Sequence, residues 1–288
     1  MLDVICNDRR TPVTDCGDAT MAATDEHLHW PQKHILFGVK VSATDYAQCE
    51  QLIMAAARDH RSAVVTHMPV HGLVTAATDA EYRSHVNDFD IVAPDGQPVR
   101  WALNRFHGTA LSDRCYGPTL MLRLCEAAAK QDVGVYLYGS TPQVIQSLSQ
   151  RLASIIPALR IVGTESPPFR PLTSEEDASV VERINSSGAG LVFLGLGCPR
   201  QDIFASEHRD RIHAVQMCVG AAFDFHAGTK PQAPSWMQRR GLEWLFRLIT
   251  EPRRLWRRYL VTNSIFLWLC ARSLVQRADA TPAIKAVV

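Results

Sequence analysis

VGVYLYGSTPQVIQSLSQRLASIIPALRIVGTES, residues 133–166, contains one full strand–helix–strand unit, and its reading decides the fold. A continuous apolar run (VGVYLYG, 133–139) ends in a glycine, two hydroxyl residues and a proline. An amphipathic stretch from Pro142 to Ile156 follows, and a second apolar run (LRIVGTES, 159–166) completes the unit. Strands without polar alternation are buried on both faces, and an intervening helix brings the chain back for parallel pairing.

The same alternation extends in both directions. HILFGVKVS (34–42) reads as a strand or hairpin entry, Asp45 to His60 as a helix, and AVVTHM (63–68) as a buried strand. Helices are expected over Val70–Ala77 and Glu81–Asn87, then a strand ending in a turn over FDIVAPDG (89–96), then a helix over Pro118–Gln131. Beyond the central unit come a helix (Ser174–Ser186), a strand (GLVFLGLG, 190–197), a helix (Pro199–Arg211) and a strand (AVQMCVG, 214–220). The pattern predicts an α/β fold: a mainly parallel sheet with helices on both faces. Residues 1–32 are polar and aperiodic and read as irregular. The composition shifts at KPQAPS (230–235), which divides a core over 33–232 from a helical appendage over 233–288. No internal repeat or low-complexity segment is present.

The 288 residues carry a net charge near +1, with 47% hydrophobic and 20% charged residues. That balance speaks against a nucleic-acid protein. The average conceals an asymmetry: between Gln238 and Arg277 stand nine arginines and two acids, Glu243 and Glu251. The eight cysteines form no CxxC pair and no zinc spacing with histidine, so they read as reduced structural residues of a cytoplasmic chain. MLDVICNDRR does not read as a signal peptide. The longest apolar stretch, Tyr259 to Ala271, is interrupted at Thr262, Asn263 and Ser264; spanning a bilayer takes about 20 apolar residues.

In open parallel sheets, ligands bind beyond the carboxyl ends of the strands. Five such ends carry polar, glycine-containing or turn-forming sequence: Thr66-His67, Pro94-Asp95-Gly96, Gly139-Ser140-Thr141-Pro142, Cys198-Pro199-Arg200-Gln201 and Asp224-Phe225-His226-Ala227-Gly228. Asp95, held in a turn, is placed to accept a proton or simply to close an Asx turn. Gly139-Ser140-Thr141-Pro142 is a helix start that either receives a phosphate or merely caps the helix. Gly195 and Gly197 begin a GxG, but Arg200 stands where the dinucleotide fingerprint needs its third glycine, which speaks against a dehydrogenase. The two glycines still permit close approach of a ligand. Asp88-Phe89-Asp90 matches the short DxD metal pattern but precedes a strand. Arg114 and Arg105 could meet a diphosphate. No hydrolase triad or metal-binding histidine pair is present.

GLEWLFRLITEPRRLWRRY (241–259) places Trp244, Leu248, Leu255 and Tyr259 on an apolar stripe broken at Pro252, with Arg247, Arg254, Arg257 and Arg258 recurring beside it. Such helices contact an anionic membrane surface, hold a pyrophosphate, or pack on the core with a solvated basic face. IFLWL (265–269) favours membrane contact.

Six ordered blocks resemble the WecG/TagA/CpsF family of bacterial glycosyltransferases: APDGQPVRWALNRFHG (93–108), DRCYGPTLM (113–121), VYLYGSTP (135–142), VFLGLGCPRQD (192–202), GAAFDFHAGTKPQAP (220–234) and the 241–259 stretch. The resemblance implies a Rossmann-like core with a C-terminal appendage. It also implies inverting, metal-independent transfer of a hexose or N-acetylhexosamine from a UDP-sugar donor to a polyprenyl-diphosphate-linked sugar, with no cofactor. The enzyme would work peripherally at the cytoplasmic face of the inner membrane, and dimers or trimers are left open. By the same resemblance Asp95 is the general base, Thr66 lines the pocket, and Arg114 belongs to the catalytic group. Gly139, Ser140, Gly195, Gly197, Gln201, Asp224, Arg247, Arg254 and Arg257 fall on the donor and diphosphate side, the three appendage arginines closing over it. Two departures stand out. Met68 replaces an asparagine common in the family, and PKQE has become Pro199-Arg200-Gln201-Asp202. The SPPF (166–169) and PDGQP wording looks like an exopolysaccharide branch and favours glucose. The alternatives are UDP-N-acetylmannosamine or its uronate as donor, or a non-catalytic membrane adaptor.

Overall fold

The computed structural model describes residues 28–280. Most of the irregular 1–32 segment and residues 281–288 of the expected appendage lie outside them. A hairpin comes first, β1 (Lys33–Leu36) and β2 (Val39–Ser42), turning at Phe37-Gly38 with φ of 55° and 87°. Positive φ at both central residues gives the twist that a two-residue turn needs. Then follow α1 (Tyr46–Arg58), β3 (Ala63–Met68), α2 (Val70–Thr78), α3 (Ala80–Asp88), β4 (Ile91–Pro94), α4 (Gln97–His107), α5 (Gly117–Lys130) and β5 (Gly134–Gly139). The second half has α6 (Pro142–Ile155), β6 (Ile161–Glu165), α7 (Ser174–Ser186), β7 (Ala189–Gly195), α8 (Arg200–Glu207), β8 (Val215–Cys218) and α9 (Ala222–Ala227). It ends with α10 (Ser235–Arg239), α11 (Glu243–Thr250) and α12 (Pro252–Ala280).

Local chemistry sets many of these boundaries. Asp45 caps α1 by accepting from the Gln48 N–H, and Thr141 caps α6 ahead of Pro142. Thr173 and Glu176 form a reciprocal capping box on α7. Two helices were not expected. α4 runs through the QPVRWALNRFH stretch, burying Val99, Ala102, Leu103 and Phe106 at helical spacing. α9 forms where only a turn was read.

The six strands β3 to β8 form one wholly parallel sheet in the order β4-β3-β8-β7-β5-β6. Side chains alternate between two cores. Val65, Ala93, Leu137, Phe193 and Met217 face α1, α5, α6 and α9; Val64, Val92, Tyr138, Leu194 and Cys218 face the opposite helices. The hairpin extends the second layer, with the Val92 N–H donating to Ser42 Oγ at 3.0 Å. The six described cysteines outside residues 1–27 are free thiols.

The appendage helices pack on this frame. Leu255, Thr262 and Phe266 of α12 are buried, and the Phe266 ring meets Phe37 edge-on at 5.9 Å. Among the described residues no helix is long and apolar enough to cross a membrane.

The ends of β5 and β7 touch. A Cβ on Gly139 would lie 2.6 Å from the backbone of Gly195, and one on Gly195 would lie 2.4 Å from the Phe223 ring. Gly195→Ala is therefore expected to cost about 1–3 kcal/mol through overpacking. Urea unfolding measures it, and an unchanged midpoint would show that Phe223 repacks freely.

Candidate active site

Asp95 follows β4 directly. Its N–H donates to Met68 O at 3.3 Å, and the neighbouring Pro94 O accepts from the Cys115 N–H at 2.9 Å. These bonds fasten the end of β4 to β3 on one side and to the segment entering α5 on the other. The Asp95 carboxylate accepts from the N–H of Gly117, at the first turn of α5. Its Oδ1 is buried and has no hydrogen-bond partner. Burial pushes the Asp95 carboxyl up to about 7; Arg114 pulls it down, Glu243 raises it, and the Gly117 N–H and Arg247 pull it down. A carboxyl poised there suits proton acceptance near neutral pH.

Arg114 lies in the loop before α5. Its Nη2 donates to Glu243 Oε2 at 2.7 Å, and the two side chains are 8% and 13% exposed. Its guanidinium lies 4.1 Å over the Tyr116 ring. Tyr116 donates its hydroxyl to Glu243 Oε1 at 3.0 Å and accepts from Gln232 Nε2 at 3.2 Å. Arg247, on α11 with Glu243, lies 5.8 Å over the Phe225 ring. The structure thus gathers Asp95, Arg114 and Arg247 at one end of the sheet, with Glu243 and Tyr116 between them.

Thr66 is 1% exposed, and its hydroxyl donates to Asp202 Oδ1 at 2.5 Å. Asp202 also accepts from the Tyr82 hydroxyl at 2.9 Å, and burial raises its carboxyl above the usual range. Thr66 therefore sits in a buried polar network beneath the strand ends. Next to it, His67 places Nδ1 3.2 Å from Cys218 O and leaves Nε2 buried without a partner. Burial lowers its pKa to about 4, so the ring is neutral, and the Nδ1–H donates to the carbonyl. Met68 is buried and packs beside Gly72, so position 68 offers a ligand no polar group.

The donor-side residues lie along the neighbouring strand ends. β7 stands three places from β4, about 14 Å away at roughly 4.8 Å per strand. Gly197 has φ of 80° and open space where a Cβ would stand. Its N–H donates to Gln201 Oε1 at 3.2 Å, and the Gln201 side chain abuts Gly220 at the end of β8. Ser140 donates its N–H to Gly195 O at 3.1 Å, and Thr141 already holds the Val144 N–H, so neither amide is free for a phosphate. Asp224, in α9, accepts from Thr229 and Lys230. Arg254 pairs with Glu251 at 2.5 Å, while Arg257 is exposed on α12 with no partner among the described residues.

Asp88-Phe89-Asp90 has a structural role. Asp90 accepts from the Val64 N–H at 2.8 Å and pairs with Arg209 at 2.9 Å. Among the described residues no group of three His, Cys, Asp or Glu could hold a metal. Sequence reasoning missed Glu243 and Tyr116. Glu243 was legible as one of two acids in a basic tail, four residues before Arg247 and so on the same helix face.

A doubly wound parallel sheet with a buried carboxyl and arginines beyond its carboxyl edge belongs to the α/β class whose ligands bind beyond the strand ends. A family model described as "Glycosyl transferase WecG/TagA/CpsF family" matches residues 34–280, and the chain belongs to that glycosyltransferase family.

The raised carboxyl has a signed consequence for stability. Folded Asp95 keeps its proton to about pH 7, whereas the unfolded carboxyl releases it near 3.8. Stability therefore falls as pH rises from about 4 to about 7 and then stays lower. Asp95→Asn lacks this loss, so its stability gain over the native chain should grow across that window. The ceiling is about 4 kcal/mol, at about 1.4 kcal/mol per tenfold. Melting both proteins from pH 4 to 8 checks it, and a pH-independent gap would mean that Asp95 titrates as an ordinary carboxylate.

Proposed function

We propose that the chain is an inverting hexosyltransferase, glucose favoured. It moves the sugar from a UDP-sugar to a polyprenyl-diphosphate-linked sugar in exopolysaccharide or cell-envelope glycan assembly. Asp95 carries this reading: its carboxyl is buried, raised to about 7, acted on by Arg114 and Arg247, and keeps Oδ1 free of any protein donor. Asp95 takes the hydroxyl proton as that oxygen attacks the anomeric carbon from the face opposite the leaving group. The bond from anomeric carbon to phosphate oxygen breaks and its electrons leave on UDP. Arg114 and Arg247, with Arg254 and Arg257 moving inward, offset the charge that develops there without a metal. Gly197 and Gln201 border the donor, Gly139, Ser140, Gly195 and Asp224 form its surroundings, and Thr66 braces the floor through Asp202.

The outer surface of α12 supports a peripheral membrane location. Trp256, Leu260, Leu267 and Leu274 are exposed, four and then seven residues apart, so they share one helix face. Exposed arginines lie beside them at Arg253, Arg257 and Arg258. A helix of this kind lies in an anionic interface, here at the cytoplasmic face of the inner membrane.

The test is UDP release from UDP-glucose, UDP-N-acetylmannosamine and UDP-glucuronate, each with a sugar-diphosphate-lipid acceptor and with EDTA present. Acceptor-dependent release from UDP-glucose is expected, and Asp95→Asn should lower kcat by at least about 10²-fold with UDP affinity largely kept. Release from a different donor would reassign the sugar. Full activity of Asp95→Asn would remove the base assignment.

In sedimentation with vesicles containing about 30% anionic lipid, Trp256→Ser with Leu260→Ser should weaken binding, and high salt should weaken it further. Binding unchanged by both would place the membrane contact elsewhere.

A further inference from the structure

Glu243 stands in the middle of the candidate site, yet the transfer chemistry gives it no step. Its two oxygens have different partners: Oε2 takes Arg114 at 2.7 Å and Oε1 takes Tyr116 at 3.0 Å. Both partners belong to the segment entering α5, whose Gly117 N–H holds Asp95. Arg114 also lies flat on the Tyr116 ring, and Gln232 fixes the Tyr116 hydroxyl from the far side. The contact is therefore a braced three-residue clamp between appendage and core.

We propose that Glu243 is a positioning residue for transfer. Its carboxylate, spanning Arg114 and Tyr116, seats α11 so that Arg247, one turn along the same face, is presented to the crevice that holds Asp95. The proposal rests on the transfer reading above for its catalytic consequence, though not for the seating itself.

Burial makes the clamp consequential. An exposed ion pair contributes little, but with side chains 8% and 13% exposed, removing one partner strands the other charge out of water. Near the start of α11 the carboxylate also faces the positive end of the helix dipole. Spacing supplies the rest: residues four apart lie about one turn apart on one helix face. A seat at Glu243 therefore fixes where Arg247 points. The charged and titratable groups acting on Asp95 are Arg114, Glu243 and Arg247, and Asp95 in turn acts on Tyr46, Cys115 and Tyr116. Among them Glu243 is the acidic group that raises Asp95, so neutralising it should let Asp95 ionise at lower pH.

The competing role is inhibitory. Glu243 occupies the guanidinium that a donor diphosphate would meet, and a plug of that kind would inhibit. The two roles predict opposite signs.

The experiment compares the full-length wild type with Glu243→Gln and Glu243→Ala. Steady-state transfer is followed from pH 5 to 9, and tryptic cleavage after Arg253–Arg258 is followed without substrate. Positioning predicts a kcat loss for Glu243→Ala on the order of 10²-fold, the size expected when a catalytic group is misplaced, and faster cleavage. For Glu243→Gln it predicts a smaller loss with the acid limb of kcat moved to lower pH, a movement that simple destabilisation would not produce. Should the alanine variant fail to fold, the glutamine variant decides alone. Unchanged kcat with an unmoved limb overturns the proposal, as does a rise in kcat or in UDP affinity, which would identify a plug. If the wild type turns over no donor while the variants are cleaved faster, the seat stands and the transfer reading falls.

Discussion

A wholly parallel sheet covered on both faces confines polar chemistry to the ends of its strands. Every interior position of β3, β5 and β8 is buried, so a polar group there needs a partner inside the protein. The arrangement meets that requirement twice. Below the strand ends, Thr66, Tyr82 and Asp202 satisfy one another. At the ends themselves, Asp95 keeps one oxygen unsatisfied. An unpartnered buried acceptor is costly, and this one stands at the end of the edge strand β4, beside β3.

The electrostatics of the crevice follow from how little water reaches it. Arg114, Glu243 and Arg247 all act on the buried Asp95 carboxyl, and Asp95 and Glu243 act on Arg114. Burial does most to raise the Asp95 carboxyl, Arg114 opposes it, and Glu243, paired with that guanidinium, adds to the rise. The Asp95 carboxyl is thus influenced by a residue of α11.

Much of the frame was legible because periodicity and capping are local. The run of apolar strands and the Asp45 and Thr141 helix starts could be read directly. Asp95 could be named because a turn at a strand end is a local signal too. α4 escaped although its signal, Val99, Leu103 and Phe106 at helical spacing, is local; the rest of what escaped depended on distance in sequence. The Glu243 clamp joins residues more than 120 apart, and no pattern within either segment states that they meet. The glycines show the same limit. Gly195 and Gly197 read as room for a ligand, yet a Cβ on Gly195 would meet the Phe223 ring, while Gly197 opens to free space.

α12 extends the argument from site to setting. One stripe, Leu255, Thr262 and Phe266, is buried against the core; another, Trp256, Leu260, Leu267 and Leu274, is exposed. A helix that serves only as a brace needs the first stripe and gains nothing in water from the second. The exposed stripe lies on the helix that follows α11 after the single residue Glu251. Burying that stripe in a lipid interface would restrain α12 and, with it, the angle at which α11 meets the crevice. On the proposed function, the surface offered to lipid and the arginine offered to the donor would then stand on consecutive helices.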